Sequence, residues 1–335
     1  MNQNSKNYKY NLKTIVYTIF NFIKVKKASN ANFEAYKDFC LNYPRVSDYS
    51  KALDEPIIVN SYEAHIKDLK WKEMSLTTFD KKDIKTLNLN LNGKNISCIY
   101  ITNPNSNKWV VGMHGWTEDK YLALRLVFHY WQAGYNVLTF DSYAHGDTYG
   151  DNTDIGLSSL PIVEKVVDYI KVEFKASHIG LIGNSMGASS AVLYAQKANN
   201  KEMINWIVAD CGFNDIKLQY RYYNQQNFAK QDWYKVCFAF IKKFSKITKS
   251  NQNKFNLMKK MKLAKEIPIF FIHSKKDTFV PCFMSEEMFV EKVIYEKKII
   301  SELWTPNSSG HVWIIADLNK DYVEKTIAFA NKNEK

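Results

Sequence analysis

The sequence predicts an α/β protein with a mostly parallel, mixed β-sheet that is flanked by helices. From residue 109 onward, short apolar runs alternate with helical segments, and buried strands that alternate with helices form parallel sheets covered on both faces. Residues 84–91 and 96–101 instead alternate apolar and polar side chains around Asn92-Gly93, a dipeptide typical of an antiparallel hairpin. The hairpin makes the predicted sheet mixed.

The chain begins with an apolar run at residues 14–23 that is followed at once by lysines. A cleavable signal peptide would be neutral there, and the run is shorter than the roughly 20 residues of a membrane-spanning helix. Its apolar side chains fall on one helical face, which predicts an amphipathic helix. Two interpretations stay open: the helix lies on a membrane surface with its lysines at the headgroups, or it packs against the protein's own core.

The remaining elements follow in order and divide the chain into four predicted segments. Residues 1–80 form an N-terminal helical extension, with further helices near 33–43 and 61–74. The first part of the α/β core is 81–212, the cap 213–262 and the second part of the core 263–335. The predicted strand and helix pairs of the core are 109–113 with 121–132, 136–140 with 160–174, 179–182 with 185–197, 204–209 with the cap, 269–272 with 281–294, and 299–304 with 317–330.

The cap interrupts the alternation of strands and helices. Its aromatic and aliphatic residues, among them Trp233, Phe240 and Phe244, recur at helical spacing with lysines on the other faces. This pattern predicts a helical lid over one end of the sheet. The aromatic side chains suit a pocket wall as well as a helix that only packs, and the sequence leaves both open.

Composition limits the classes of function. The 335 residues are 46% hydrophobic and 15% aromatic, which indicates a folded globular protein. The formal net charge is +12, mostly from lysine, but no nucleic-acid recognition motif accompanies it, so no nucleic-acid partner is expected.

The five scattered cysteines have no metal-ligand spacing and suit free thiols in a reducing compartment. The predicted location is therefore cytoplasmic, with membrane association if the N-terminal helix lies on a lipid surface.

The strongest chemical motif is Gly183-Asn184-Ser185-Met186-Gly187, where a predicted strand ends and a helix begins. A sharp strand-to-helix turn crowds the backbone beside the serine, and the flanking Gly183 and Gly187 relieve that crowding. Such a nucleophile elbow exposes the hydroxyl and directs the N–H of Met186 toward the reacting carbonyl. The alternative is a glycine-rich junction in which the serine only caps the helix.

A serine nucleophile needs a base, and the base needs an acid to orient it. Among the seven histidines, His311 in Ser309-Gly310-His311 follows the last predicted strand and is the expected base. Asp277 follows the preceding strand and is the expected acid, while Asp210 is a substitute because it also follows a strand. The chain order Ser, Asp, His is the order of α/β hydrolases.

An oxyanion hole needs a second N–H donor besides that of Met186. The loop His114-Gly115-Trp116-Thr117 follows the predicted strand 109–113. Gly115 allows a close backbone approach, and Trp116 is the expected second donor, with His114 and Gly115 in support.

At this point the sequence resembles the α/β-hydrolase superfamily, specifically its esterase/lipase-like serine hydrolases with an N-terminal helical extension. The segments that carry the resemblance lie in the expected order between residues 84 and 335; they are HGWTEDK from His114, DSYAHGDTYG from Asp141, GNSMGA from Gly183, HSKKDTFVP from His273 and SGHVW from Ser309.

The resemblance implies hydrolysis of carboxylic esters, thioesters or amides without a metal or organic cofactor. It also implies that Asp141, His145 and Gly146 shape a loop beside the site; Tyr143 stands where the family usually has arginine.

The predicted function is hydrolysis of a carboxylic ester through an acyl-enzyme on Ser185. The apolar, aromatic cap and the basic N-terminus favour a short- to medium-chain acyl ester or a lysolipid. A peptidase or amidase on the same fold is the alternative, although the basic cap disfavours it because such enzymes hold an amino terminus with acidic residues. A catalytically silent scaffold is a further alternative, disfavoured by the presence of Ser185, Asp277 and His311 together.

Overall fold

The computed structural model describes residues 12–27, 30–31, 34, 60–227 and 240–334. The predicted helix near 33–43, apart from residue 34, and the cap residues 228–239 lie outside the described residues. The division into extension, core and cap therefore stays a prediction.

A single eight-stranded sheet organises the described residues, in the order β1-β2-β4-β3-β5-β6-β7-β8. Strands β1–β2 and β2–β4 pair antiparallel and all other neighbours pair parallel. The predicted fold class is thus confirmed. The strands are β1 Lys85–Leu91, β2 Lys94–Ile101, β3 Lys108–Met113, β4 Asn136–Phe140, β5 His178–Asn184, β6 Trp206–Asp210, β7 Ile269–Ile272 and β8 Glu302–Trp304.

Helices cover both faces of this sheet. The α-helices of the described residues include α1 Leu12–Phe20, α2 Tyr62–Trp71, α3 Leu124–Gln132, α4 Leu160–Val172, α5 Met186–Lys197, α6 Ile216–Asn227, α7 Phe240–Ile247, α8 Phe283–Val293, α9 Ile314–Asp317 and α10 Asn319–Lys332. None of the helices within the described ranges is both long and apolar enough to cross a membrane.

The central strands form two cores because successive side chains point to opposite faces. Leu181 of β5 packs on one face with Val163 and Val167 of α4. Its neighbour Ile182 packs on the other face with Leu126 of α3. All five residues of β4 and of β6 are buried, as expected for strands covered on both sides.

The antiparallel hairpin follows from its turn residues. Asn92 and Gly93 both have positive φ, 53° and 82°, which is the backbone of the two-residue turn that matches the twist of paired strands. The register Leu91↔Lys94 closes the hairpin directly around these two residues.

The last strand and last helix differ in extent from the prediction. The strand expected at 299–304 contains only Glu302–Trp304, because the Glu296 carboxylate accepts the N–H groups of Ile300 at 2.9 Å and Ser301 at 3.3 Å. The helix expected at 317–330 is α10, and a separate short helix, α9, precedes it; the two meet at Leu318, which has a non-helical ψ of 41°.

Candidate active site

Ser185 lies at the turn between β5 and α5, as predicted. Its backbone has φ 52° and ψ −114°, a conformation that costs a non-glycine residue about 1–3 kcal/mol. The N–H of Ser185 donates to the carbonyl oxygen of Asp210 at the end of β6, at 2.7 Å. The turn thereby lifts the serine out of the strand direction, and Ser185 retains 7% exposure.

Gly183 and Gly187 make this turn sterically feasible. A Cβ on Gly183 would lie 2.4 Å from the backbone carbon of Gly187, and one on Gly187 would lie 2.1 Å from the carbonyl oxygen of Met113. Real Cβ atoms essentially never approach so closely. The glycines therefore allow α5 to begin directly against the ends of β5 and β3.

A continuous chain of hydrogen bonds joins the three predicted catalytic residues. His311, in the loop between β8 and α9, accepts from the Ser185 hydroxyl at Nε2, with a distance of 2.8 Å. Its Nδ1 donates to Oδ2 of Asp277 at 2.6 Å. The Asp277 side chain is fully buried, whereas that of His311 is 18% exposed.

The carboxylate of Asp277 is held from several sides. Its Oδ1 accepts the N–H groups of Phe279 and Val280, both at 2.9 Å, and its Oδ2 lies 3.2 Å from Nε2 of His273. Burial alone would raise the pKa of Asp277, but the nearby rings of His311 and His273 outweigh it and hold the pKa well below its usual range. Asp277 is thus an anion facing His311.

His273, directly after β7, contacts the acid. Its Nδ1 accepts from the Ser285 hydroxyl at 2.7 Å, and its Nε2 donates to the carbonyl oxygen of Val280 at 2.9 Å. These bonds fix the tautomer with the proton on Nε2, the nitrogen that faces Asp277. The spacing of four residues between His273 and Asp277 is the available sequence signal.

Asp210, the substitute acid, lies at the end of β6 but contributes its backbone carbonyl to the turn at Ser185. Burial raises the pKa of its carboxyl group to about 6. The carboxylate that hydrogen-bonds the His311 ring is that of Asp277.

The two predicted oxyanion donors lie on adjoining segments. Met186 is the first residue of α5, where backbone N–H groups have no acceptor within the helix. The loop that begins at His114 leaves β3 beside this turn, since a Cβ on Gly187 would lie 2.7 Å from the His114 carbonyl oxygen. The role of Met186 and Trp116 as oxyanion donors stays a prediction.

His114 is a structural residue of the loop. It is completely buried, its Nε2 accepts the N–H of Ser142 at 2.9 Å, and its Nδ1 donates to the Gly115 carbonyl oxygen at 2.7 Å. It therefore joins the loop after β3 to the loop after β4.

The loop after β4 is built around Asp141. This carboxylate accepts from the Lys120 ammonium group at 2.8 Å and from the Asp147 N–H at 2.9 Å. Gly146 approaches it so closely that a Cβ there would lie 2.2 Å from Oδ2. Tyr143 packs edge-to-face on Tyr149 with ring centroids 5.4 Å apart.

Helix α6 contacts the loop that carries Asp277. Gln219 of α6 donates to the carbonyl oxygen of Phe279 at 2.6 Å, and Tyr223 packs edge-to-face on the Phe279 ring at 5.9 Å. The Phe279 ring lies 5.1 Å from that of His311. The rings of Phe279 and Tyr223 therefore form an aromatic wall beside His311.

Within the described ranges, one trio of side chains has the spacing of a metal site. The ligand atoms of Cys211, Asp277 and His311 lie within 4.8 Å of one another. Two of the three groups are already hydrogen-bonded to each other, and burial raises the pKa of the Cys211 thiol well above its usual value, which opposes the thiolate that a metal needs.

Comparison with known proteins supports the fold. No protein-family model matches the chain. The uncharacterized protein YqkD of Bacillus subtilis is 28% identical over 205 residues, which cover 60% of this chain and 65% of that protein.

Three solved structures show the architecture. The esterase Pf2001 of Pyrococcus furiosus has a TM-score of 0.62 and 25% identity, covering 84% of this chain and 99% of its own. A bacterial membrane phospholipase A has a TM-score of 0.54 and 16% identity, with 76% and 87% covered. The α/β hydrolase MGS-M2 from a deep-sea metagenome has a TM-score of 0.53 and 16% identity, with 72% and 96% covered. The chain therefore has an esterase-like α/β-hydrolase fold, which supports a hydrolase function.

Proposed function

We propose that this chain is a serine hydrolase that cleaves carboxylic esters through an acyl-enzyme on Ser185. The observation that carries the proposal is the hydrogen-bonded chain from Ser185 through His311 to Asp277. Its nucleophile stands on a strained strand-to-helix turn, where a serine hydroxyl is presented to substrate.

The proposed reaction has two halves. The Ser185 Oγ attacks the ester carbonyl while Nε2 of His311 takes its proton and then returns it to the leaving alcohol. Water, deprotonated by the same nitrogen, attacks the acyl-enzyme, and His311 then returns that proton to the departing Ser185 oxygen as the acid is released. The Asp277 anion stabilises the imidazolium that forms in each half, and the N–H groups of Met186 and Trp116 are proposed to bind the tetrahedral oxyanion.

An apolar acyl group suits this site best. The Phe279 ring beside His311 and the Tyr223 ring on α6 offer an aromatic wall, and the similar protein Pf2001 is described as an esterase. The proposed substrates are esters of short- to medium-chain acids or lysolipids.

The N-terminal helix supports a peripheral contact with lipid. Leu12, Phe20 and Ile23 are 76%, 83% and 83% exposed, so apolar side chains of this segment face outward, and Lys24, Lys26 and Lys27 follow it. An apolar helical face with adjacent lysines complements an anionic membrane surface. We include this surface in the proposed function because it would bring the site to lipid esters.

The test is hydrolysis of p-nitrophenyl esters from acetate to palmitate by the wild type and Ser185→Ala in parallel. The wild type is expected to turn over, with a chain-length optimum that measures the acyl pocket. Loss of the nucleophile is expected to lower kcat by on the order of a millionfold. An inert wild type, or hydrolysis of aminoacyl anilides alone, would contradict the ester proposal, and an equally active mutant would exclude Ser185 as nucleophile.

A further inference from the structure

A buried network of charges lies beneath the loop that follows β3. Glu118 in this loop, Arg125 of α3 and Asp68 of α2 are each at most 6% exposed. One guanidinium nitrogen of Arg125 contacts Oε1 of Glu118, and the other donates to Oδ2 of Asp68 at 3.1 Å. The network therefore connects the segment before residue 80 to the loop beside Ser185.

The second carboxylate oxygen of Glu118 joins the two backbone segments at the candidate site. Its Oε2 accepts the N–H of Gly115 at 2.7 Å and the side-chain amide of Asn184 at 3.0 Å. Gly115 immediately precedes Trp116, and Asn184 immediately precedes Ser185. A single oxygen thus sets the distance between the loop after β3 and the turn at Ser185.

The peptide group between Gly115 and Trp116 is also fixed in orientation. The Gly115 carbonyl oxygen accepts from Nδ1 of His114 at 2.7 Å and from the N–H of Glu118 at 3.2 Å. A trans peptide is planar, so the direction of this C=O determines the opposite direction of the Trp116 N–H. Glu118 therefore acts on both ends of Gly115, through its side chain and through its backbone.

The charge state of Glu118 suits this role. Burial by itself would raise its pKa, but the charges of Arg125 and Lys72 and the bonds from Gly115 and Asn184 lower the pKa to about 2. An ionised carboxylate only accepts hydrogen bonds, so it holds both donors at once. A buried charge pair by itself is weak evidence for stability, and the hydrogen bonds to the loop and the turn point to a different purpose.

We propose that Glu118 is a positioning residue that holds the Gly115–Trp116 peptide in register with Ser185 before substrate binds. The inference rests on the proposed ester hydrolysis. A donor aimed in advance at the developing oxyanion stabilises the transition state more than the ground state. Loss of Glu118 therefore lowers kcat and leaves KM nearly unchanged.

The experiment compares Glu118→Gln with Asp68→Asn in the full chain, using the preferred p-nitrophenyl ester. Glutamine keeps the size of the side chain, but an NH2 group replaces one of the two carboxylate oxygens. This NH2 group must face either the Arg125 guanidinium or the donors of Gly115 and Asn184, so a donor meets a donor at one side of residue 118. The kcat of Glu118→Gln is expected to fall about 10- to 100-fold, and the upper value corresponds to the loss of one oxyanion donor. The KM is expected to change less than about threefold, because the aromatic wall for the acyl group is intact. Asp68→Asn perturbs the same arginine without touching the loop, so kcat is expected within about twofold of wild type although the melting temperature falls.

Active sites are counted by titration with a fluorophosphonate, so that kcat refers to folded enzyme. If Glu118→Gln does not fold, Glu118→Asp takes its place in the kinetic comparison. Aspartate keeps a negative charge opposite Arg125, but its shorter side chain no longer reaches Gly115 and Asn184 in the same way. Wild-type kcat in the folded Glu118 variant, or an equal loss in Asp68→Asn, would overturn the positioning role. An inactive wild type or an active Ser185→Ala would instead overturn the proposed function itself.

Discussion

The proposed acid can be tested at the scale of one residue. In Asp277→Asn the side chain no longer carries the charge that stabilises the His311 imidazolium. Its NH2 group can also donate to Nδ1 of His311, which favours the tautomer with the proton on Nε2, where it cannot accept the Ser185 proton. By precedent, this change lowers kcat by about 10⁴ with little change in geometry. The measurement is kcat/KM for the preferred ester from acidic to alkaline pH.

Asp210→Asn is the matched control for that experiment. Both carboxylates are buried at the carboxyl ends of neighbouring strands, but the one bonded to His311 is that of Asp277. We expect Asp210→Asn to keep most of the activity. A larger loss in Asp210→Asn than in Asp277→Asn would make Asp210 the acid.

The sequence predicts some residues of the candidate site and misses others. Ser185, Asp277 and His311 follow from position, because each stands after a strand whose carboxyl end meets the same sheet edge. Glu118 was missed because its partners, Gly115, Asn184 and Arg125, come together only in the folded chain. A signal was present: Arg125 is one of three arginines in this lysine-rich sequence, and it lies in a mostly apolar helix, where an arginine needs a buried anion.

At the scale of the element, the start of α5 depends on the absence of a side chain at Gly187. A methyl group there would meet the backbone carbonyl of Met113 at 2.1 Å, and a strand backbone cannot rotate away as a side chain can. Gly187→Ala is expected to displace the first turn of α5 and with it Ser185 and Met186. We expect unfolding stability to fall by about 1–3 kcal/mol and ester hydrolysis to fall much further than stability explains.

Gly310→Ala is the comparison variant. It adds the same methyl group beside His311, where no atom lies within 4 Å of the new Cβ. Thermal unfolding followed by circular dichroism and kcat on the same ester measure both variants. Equal behaviour of Gly187→Ala and Gly310→Ala would show that α5 tolerates a shift away from β3.

Element boundaries were predicted well where apolar periodicity decides them and less well where a side chain intervenes. β4 and β7 begin and end as predicted, since each is a fully buried run. The helix expected from residue 121 begins at Leu124, because Asp119 Oδ1 accepts the N–H groups of Tyr121 and Leu122 at 2.8 Å and 3.0 Å and forms a turn first. Such a local competition between side chain and backbone is not visible in a hydrophobic pattern.

At the scale of the whole molecule, the amphipathic pattern of residues 14–23 predicted a helix but left its environment open. In the structure, Ile15 and Ile19 of α1 line a groove together with Tyr220 of α6 and Ile241 of α7. The same helix leaves several large apolar side chains exposed, while Val25 just beyond it is buried. The groove therefore involves only part of this segment, and the proposed lipid contact would cover the apolar side chains that face outward.

The lipid contact predicts that the full chain floats with vesicles of phosphatidylcholine and phosphatidylglycerol in a density gradient, and less with phosphatidylcholine alone. Each lysine near an anionic surface contributes about 1 kcal/mol, so added salt should weaken the binding. Phe20→Glu combined with Ile23→Glu places two charges at side chains that are each 83% exposed and should abolish flotation, with the ester activity in solution unchanged. Val172→Glu adds a charge at an aliphatic side chain that is 66% exposed on α4 and should float like the wild type. Failure of the wild type to float, or equal loss in Val172→Glu, would refute a specific contact through α1 and leave the exposed helix to another partner.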